Sequence, residues 1–282
     1  MDLLETRELR YFVAVAEELH FGRAAERLGM AQPPLSRAIQ RLERRLGVTL
    51  LERNRRGVTL TGAGEVLLHE GRATLDAAAA AANRTRRTAA PGNRLVLAVK
   101  SGADHELLQK LLHAYAAEPD AAEVEVLLCG IGEQPRLLRD GRADAALVHR
   151  PFDLVAGFDS EELLTEGQVA IVPAGHPLAA RASISMAEVG NVPDLPLARW
   201  PRHDGTYPPG PGPEVRDQSQ LAQLIALGHT MVVIPVSSRA WLWTDHAAVP
   251  VIDAPLVTTL IVWPAHSRSL TLAGLIRTAT RL

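Results

Sequence analysis

Residues 63–88 contain no proline and include six consecutive alanines, Ala77 to Ala82. Alanine is the strongest helix former, so this stretch predicts one continuous helix spanning roughly 39 Å. Ala89-Ala90-Pro91-Gly92-Asn93 breaks it. A helix that long cannot fold back into one small core, so it divides the chain into a module before it and a larger body after it. The length of 282 residues agrees with about two domains.

The charge divides at the same place. Residues 1–90 carry 15 Arg against 11 acidic residues, net +4, and the remainder carries 15 basic against 21 acidic, net −6. Within 23–56 nine Arg face only Glu26, Glu43 and Glu52. A basic module on an acidic body suits a polyanionic partner at one end, although a solvated charged face has the same composition. Only Lys100 and Lys110 are lysines, against 28 arginines. The single cysteine, Cys129, excludes a disulfide framework, an internal redox pair and a multi-cysteine zinc site. It is expected to be a packing residue. No cofactor or metal is expected. Nothing approaches an apolar run of about 18 residues, and the start MDLLETRELR lacks a basic-then-apolar leader pattern, so a cytoplasmic protein without membrane contact is expected.

Before the long helix, Leu9, Phe12, Val13, Ala16 and Leu19 recur on one helical face. Ala24, Ala25 and Leu28 form a second short helix, ended by Gly29. A third starts near Gln32, with Pro33 and Pro34 tolerated in its first turn. Its inner face is Leu35, Ile39, Leu42 and Leu46, which turns Ser36, Arg37, Gln40, Arg41 and Arg44 outward. Val48–Leu51 and Val58–Leu60 flank a polar loop holding Arg53, Arg55 and Arg56, and read as a hairpin. Two helices joined by a Gly-containing turn make a helix-turn-helix, and the amino end of its second helix fits the DNA major groove. Gln32 then suits adenine and Arg37 guanine or a phosphate, with the hairpin as a wing on the backbone. The expected DNA-binding set is Arg23, Gln32, Pro33, Pro34, Ser36, Arg37, Gln40, Arg41, Arg53, Arg55 and Arg56. On the long helix, Val66, Leu67, Leu75 and Ala78 form the expected dimerisation stripe.

In the body, strands near 95–99, 124–128, 145–148, 169–172, 231–234, 249–252 and 256–262 alternate with helices near 106–115, 134–139, 219–228 and from 270. Such alternation predicts βαβ units and a parallel sheet. Residues 200–213 hold five prolines and three glycines and predict no regular element. The stretch reads as an ordered loop or a mobile lid.

Leu9–Glu17, Phe21–Leu28, Ala31–Ile39, Leu42-Glu43, Leu46-Gly47-Val48, Leu51-Glu52-Arg53, Arg56-Gly57-Val58 and Leu60–Gly64 resemble the winged helix-turn-helix of LysR-type transcriptional regulators. Leu138–Val148, Val172–Leu178 and Leu227–Pro235 resemble, more loosely, landmarks of that family's effector domain. The resemblance implies a DNA-binding domain over 1–62, a dimerising linker helix over 63–89 and an effector-binding domain over 92–282. The last is similar to type II periplasmic binding proteins, with α/β subdomains of 92–162 plus 265–282 and of 163–264. It also implies a homodimer or homotetramer, duplex DNA as partner, and a small metabolite bound between the subdomains. Ala31 departs from the family in lacking a capping oxygen, and 201–213 stands where relatives carry a helix.

Ligands of open α/β sheets bind beyond the carboxyl ends of strands. Ser101 follows the first body strand and is expected to open the next helix as an anion seat, or to be an N-cap serine without a ligand. Ser101, Gly102, Gly132, His149, Arg150, Gln218 and Ser219 are the expected effector residues. Arg150 suits an acidic effector or is a plain surface arginine. The competing reading is an enzyme or solute-binding protein built on the α/β body. It lacks support: there is no G-x-S-x-G, H-E-x-x-H or phosphate loop, and Gly130-Ile131-Gly132 is followed by Pro135 where a dinucleotide fingerprint needs its third glycine. A regulator that has lost its ligand is a third reading, kept open by 201–213.

Overall fold

The computed structural model describes residues 4–54, 57–88, 93–202, 206–265 and 267–282, with the backbone alone at 53, 54, 88, 240 and 241. The chain divides into two compact units, Met1–Arg86 with Arg139–Gly141, and Arg87–Leu138 with Arg142–Leu282.

The first unit begins with helices α1 (Thr6–Glu18), α2 (Phe21–Arg27) and α3 (Gln32–Leu46). Strands β1 (Leu51–Asn54) and β2 (Gly57–Leu60) pair antiparallel, and helix α4 (Gly62–Thr88) follows. Phe12, Leu35, Ile39, Leu42 and Leu50 are fully buried together, as the helical period requires. The last members of two expected stripes differ. Leu19 is 44% exposed because it caps α1 in the left-handed conformation, and Leu46 is 37% exposed at the end of α3. Each helix start is secured differently. Glu5 and Glu8 form a capping box on α1, and the His20 ring accepts from the Gly22 and Arg23 amides on α2. No side chain caps α3 at Ala31, as its missing oxygen predicts; Pro33 and Pro34 have no N–H to leave unsatisfied there. Glu43 Oε1 accepts from the Leu50 and Leu51 amides at 2.9 and 3.2 Å, which ties α3 to the hairpin.

The second unit runs β3 (Arg94–Lys100), α5 (His105–Ala116), β4 (Glu123–Cys129), α6 (Gln134–Arg139), β5 (Ala145–Arg150), β6 (Phe158–Glu166) and β7 (Gln168–Pro173). It continues with α7 (Met186–Val189), α8 (Gln218–Ala226), β8 (Val232–Pro235), β9 (His246–Val251), β10 (Val257–Pro264) and α9 (Leu270–Ala279). One sheet has the order β4-β3-β5-β10-β6 and the other β8-β7-β9. Only β4, β3 and β5 are parallel; β10 is antiparallel to both neighbours, and the second sheet is antiparallel throughout. The expectation of a parallel sheet therefore holds for the βαβ portion alone. β10 pairs with β5 in the first sheet, although a division at 265 assigns it to the second subdomain. The first sheet is covered on both faces, by α5 and α9 on one side and α6 on the other, which explains its continuous apolar strands.

Strand β6 was not anticipated. Its sequence FDSEELLTE is mostly exposed and acidic, because it forms the edge of the sheet, where charge discourages pairing with another chain. The described part of 201–213 is an irregular loop laced to Arg199. That guanidinium donates to Gly212 O at 2.6 Å, Pro208 O at 3.0 Å and Glu214 at 3.2 Å. Backbone bonds from Arg199 N to Pro213 O and from Val215 N to Arg199 O flank it. Residues 203–205 lie outside the described residues.

Candidate functional site

Helix α3 presents the expected outer face. Gln32, Pro33, Arg37, Gln40, Arg41 and Arg44 are exposed, while Pro34 and Ser36 are half-buried. No described residue pairs with Arg37, Arg41 or Arg44. Unopposed guanidinium groups on one helix face make a surface that a phosphate backbone can neutralise. Arg23 is exposed too, but its Nε lies 3.3 Å from Glu18 Oε2. Arg55, Arg56 and the side chain of Arg53 lie outside the described residues.

The dimerisation stripe on α4 splits. Leu67 and Leu75 pack against the core of their own unit, whereas Val66 is 65% exposed and Ala78 is exposed. One face of α4 thus serves α1, and Val66, Ala73 and Ala77 share an outward one, whereas Ala78, though exposed, falls in line with Leu67 and Gly71. At about 3.6 residues per turn Val66 lies about 100° from Leu67 and about 180° from Leu75, but spacing alone does not say which face packs on the core.

Ser101 does not open a helix. Gly102 (φ +76°) and Asp104 (φ +56°) turn the chain, and α5 starts only at His105 with Asp104 as its N-cap residue. The Ser101 amide donates to Cys129 O at 3.0 Å and the Ala103 amide to Lys100 O at 3.1 Å. The expected anion seat at a helix amino end is therefore absent at Ser101. Gln218 and Ser219 do open a helix, α8, which Asp217 caps through the Gln220 amide at 2.8 Å. Gln218 also meets the β3–α5 turn. A Cβ on Gly102 would fall 1.8 Å from Gln218 Oε1.

His149 corrects a second expectation. It is 2% exposed and faces inward. Its Nε2 lies 3.0 Å from Asp104 Oδ1, and its amide donates to Asp153 Oδ2 at 2.8 Å. Lys100 Nζ lies 3.1 Å from Asp153 Oδ2 and 3.5 Å from His149 Nδ1, and Thr259 donates to Asp104 Oδ1 at 3.2 Å. Asp104 Oδ2 is buried without a hydrogen-bond partner among the described residues. This Lys100–Asp153–His149–Asp104–Thr259 network holds the turn from beneath, and sequence reasoning missed it. The one available signal was Lys100 itself, a lysine in an arginine-rich chain, where a compact ammonium fits between carboxylate and imidazole.

Arg150 is exposed and paired with Glu162 across β10. Gly132 lies half-buried in the turn between β4 and α6. The structure thus joins Gly102 to Gln218 and sets His149 below them. Among the described residues, no hydrogen bond or ion pair joins Gly132, Arg150 and Ser219. Two grooves of about 430 and 540 Å³ lie elsewhere, one between α5 and α9 beside Tyr115 and Arg277, the other beside Arg199 and Pro208–Pro211. None of the expected effector residues lines either. Burial, helped by Glu133, pushes the Cys129 thiol up to about 11. Among the described residues, no group of three His, Cys, Asp or Glu side chains is placed to hold a metal, and no helix is long and apolar enough to cross a membrane.

Two family models match this sequence. "Bacterial regulatory helix-turn-helix protein, lysR family" matches residues 6–65, and "LysR substrate binding domain" matches residues 88–281. The HTH-type transcriptional regulator IlvR of Caulobacter vibrioides is 33% identical, with 98% of each chain covered. The HTH-type transcriptional regulator AlsR of Bacillus subtilis is 32% identical, covering 84% of this chain and 82% of the relative. A solved structure of full-length CbnR complexed with its target DNA is 26% identical, with a TM-score of 0.53 and 99% of each chain covered.

Proposed function

The chain belongs to the LysR family of bacterial transcriptional regulators, and from that premise we propose which of its residues do the work. It binds duplex DNA, assembles with further copies of itself and responds to a small-molecule effector; its relatives are named regulators, not enzymes. Its place of action is the cytoplasm, where the DNA is. The DNA-reading surface is the outer face of α3, with Gln32 and Arg37 toward base edges and Arg41 and Arg44 toward phosphates. Arg23 and the arginines of the 53–56 loop, Arg53, Arg55 and Arg56, complete the proposed DNA-binding set. The observation that carries this reading is the row of arginines Arg37, Arg41 and Arg44, exposed and unpaired among the described residues. The domains are 1–62 for DNA, 63–89 for dimerisation and 92–282 for the effector. The dimer face of α4 is the outward one, through Val66.

The effector enters beside the β3–α5 turn, where Gln218 rests on Gly102, with Ser101, Gly132, Ser219 and Arg150 around it. His149 acts from below, by holding the turn. A small anionic metabolite fits this reading if Arg150 exchanges Glu162 for the ligand.

The test is binding of full-length protein to duplexes selected from a random-sequence pool. Arg37→Ala should lose about 1–3 kcal/mol of discrimination at one base position. Unchanged sequence preference in that variant rules out the α3 assignment.

A further inference from the structure

Helix α1 carries a carboxylate near each end, and each is held by another helix. Glu8, in the first turn, takes Arg45 from the last turn of α3. Glu17, in the last turn, takes two guanidinium groups. Arg27 of α2 reaches Oε2 at 2.7 Å, and Arg72 of α4 reaches Oε1 through Nε at 2.9 Å and Nη2 at 2.7 Å. Burial opposes ionisation of Glu17, yet the hydrogen bonds from Arg72 and Arg27 hold its carboxyl below the ordinary range. Next to Arg72, Gly71 brings α4 close to α1: a Cβ there would meet methyl groups of Leu9 and Val13 at 3.4 Å. The recognition helix is thus linked to α1 at one end, and α4 is linked to α1 at the other.

We propose that Arg72 is a positioning residue for operator recognition. Through Glu17 it fixes the angle between α1 and α4, and hence where α3 lies relative to the dimer axis. That angle sets the half-site spacing the dimer accepts. An isolated exposed ion pair contributes little to stability, but one carboxylate shared by forked donors from two helices has direction, and direction is what spacing requires. The inference rests on the reading of α4 as the dimer helix.

The experiment uses full-length protein and duplexes that the wild type selects from a random-sequence pool. These are rebuilt with one base pair inserted between half-sites, or cut to a single half-site. Each inserted pair turns the second half-site by about 35°. The wild type should lose about tenfold in affinity on insertion, and Arg72→Ala about threefold or less. Both should bind the single half-site equally, and Arg72→Lys, which keeps the charge but lacks the fork, should recover little of the spacing preference. A wild-type spacing preference in Arg72→Ala overturns the proposal. So does a matching loss on the single half-site, which would make Arg72 a DNA contact, or dissociation of the variant where the wild type stays dimeric. Sedimentation of the wild type as a monomer would instead overturn the α4 dimer reading itself, and this inference with it.

Discussion

Gln218, the first residue of α8, lies flat against Gly102 in the β3–α5 turn, so close that a methyl group on Gly102 would sit 1.8 Å from its Oε1. Gly102 has φ +76°, where an L side chain is strained even without a neighbour. Gly102→Ala should therefore cost about 1–2 kcal/mol from the backbone alone, plus displacement of the Gln218 amide. Gln218→Ala, which leaves the backbone of the turn unstrained, should cost less. Urea unfolding of both variants checks the order; equal stabilities would mean that the turn relaxes freely.

Asp104 is fully buried, with His149 and Thr259 on one oxygen. Asp104→Ala removes the Oδ1 partner of both His149 and Thr259 and should cost about 1–3 kcal/mol for each buried polar group left unpaired. Asp104→Asn keeps an acceptor and tolerates the left-handed backbone, so its cost should be clearly smaller. Thermal unfolding of the two variants distinguishes them.

Arg44 lies on the exposed face of α3 without a described partner. If it neutralises one phosphate, Arg44→Ala should reduce the slope of log affinity against log salt by about 1 and weaken all sequences alike. Titrations at several salt concentrations measure this. An unchanged slope removes Arg44 from the interface.

Glu17 is depressed below its ordinary 4.5 in the folded state. Its contribution is thus present at pH values above the unfolded value and is lost as pH falls through the folded one. The stability gap between wild type and Glu17→Gln should stay constant from about pH 7 to 5.5 and close below 4.5. Denaturant unfolding across that range is the measurement; a gap that widens in acid contradicts the pairing.

Cys129 is 7% exposed, with its thiol pushed up to about 11. About one thiol in a thousand is then ionised at pH 8. Iodoacetamide should label the folded protein slowly and the urea-unfolded protein fully. Rapid labelling of the folded protein would show that the β4 end opens.

Which parts were legible follows from how each is encoded. The stripe Leu35, Ile39 and Leu42 repeats within one helix, so its period alone turns Arg37, Arg41 and Arg44 outward. Gly29 ends its helix with φ +65° for a reason confined to its own backbone. The expected dimer stripe divides, because Leu67 packs on the core of its own unit while Val66, about 100° around the helix, stays exposed. Strand β6 was hidden because an edge strand has no need of the apolar alternation that reveals inner strands.

By itself the sequence determined the helix-turn-helix, the long α4 and the βαβ alternation, since periodicity, alanine content and turn residues act on neighbours along the chain. Only the tertiary structure decided that Ser101 stands in a turn, that His149 faces inward to Asp104, that Gln218 covers Gly102 and that Glu17 joins α2 to α4. Those outcomes depend on residues distant in sequence meeting as the sheets and helices pack. Burial and charge pairing then set each side chain's role, and neither is written in its local pattern.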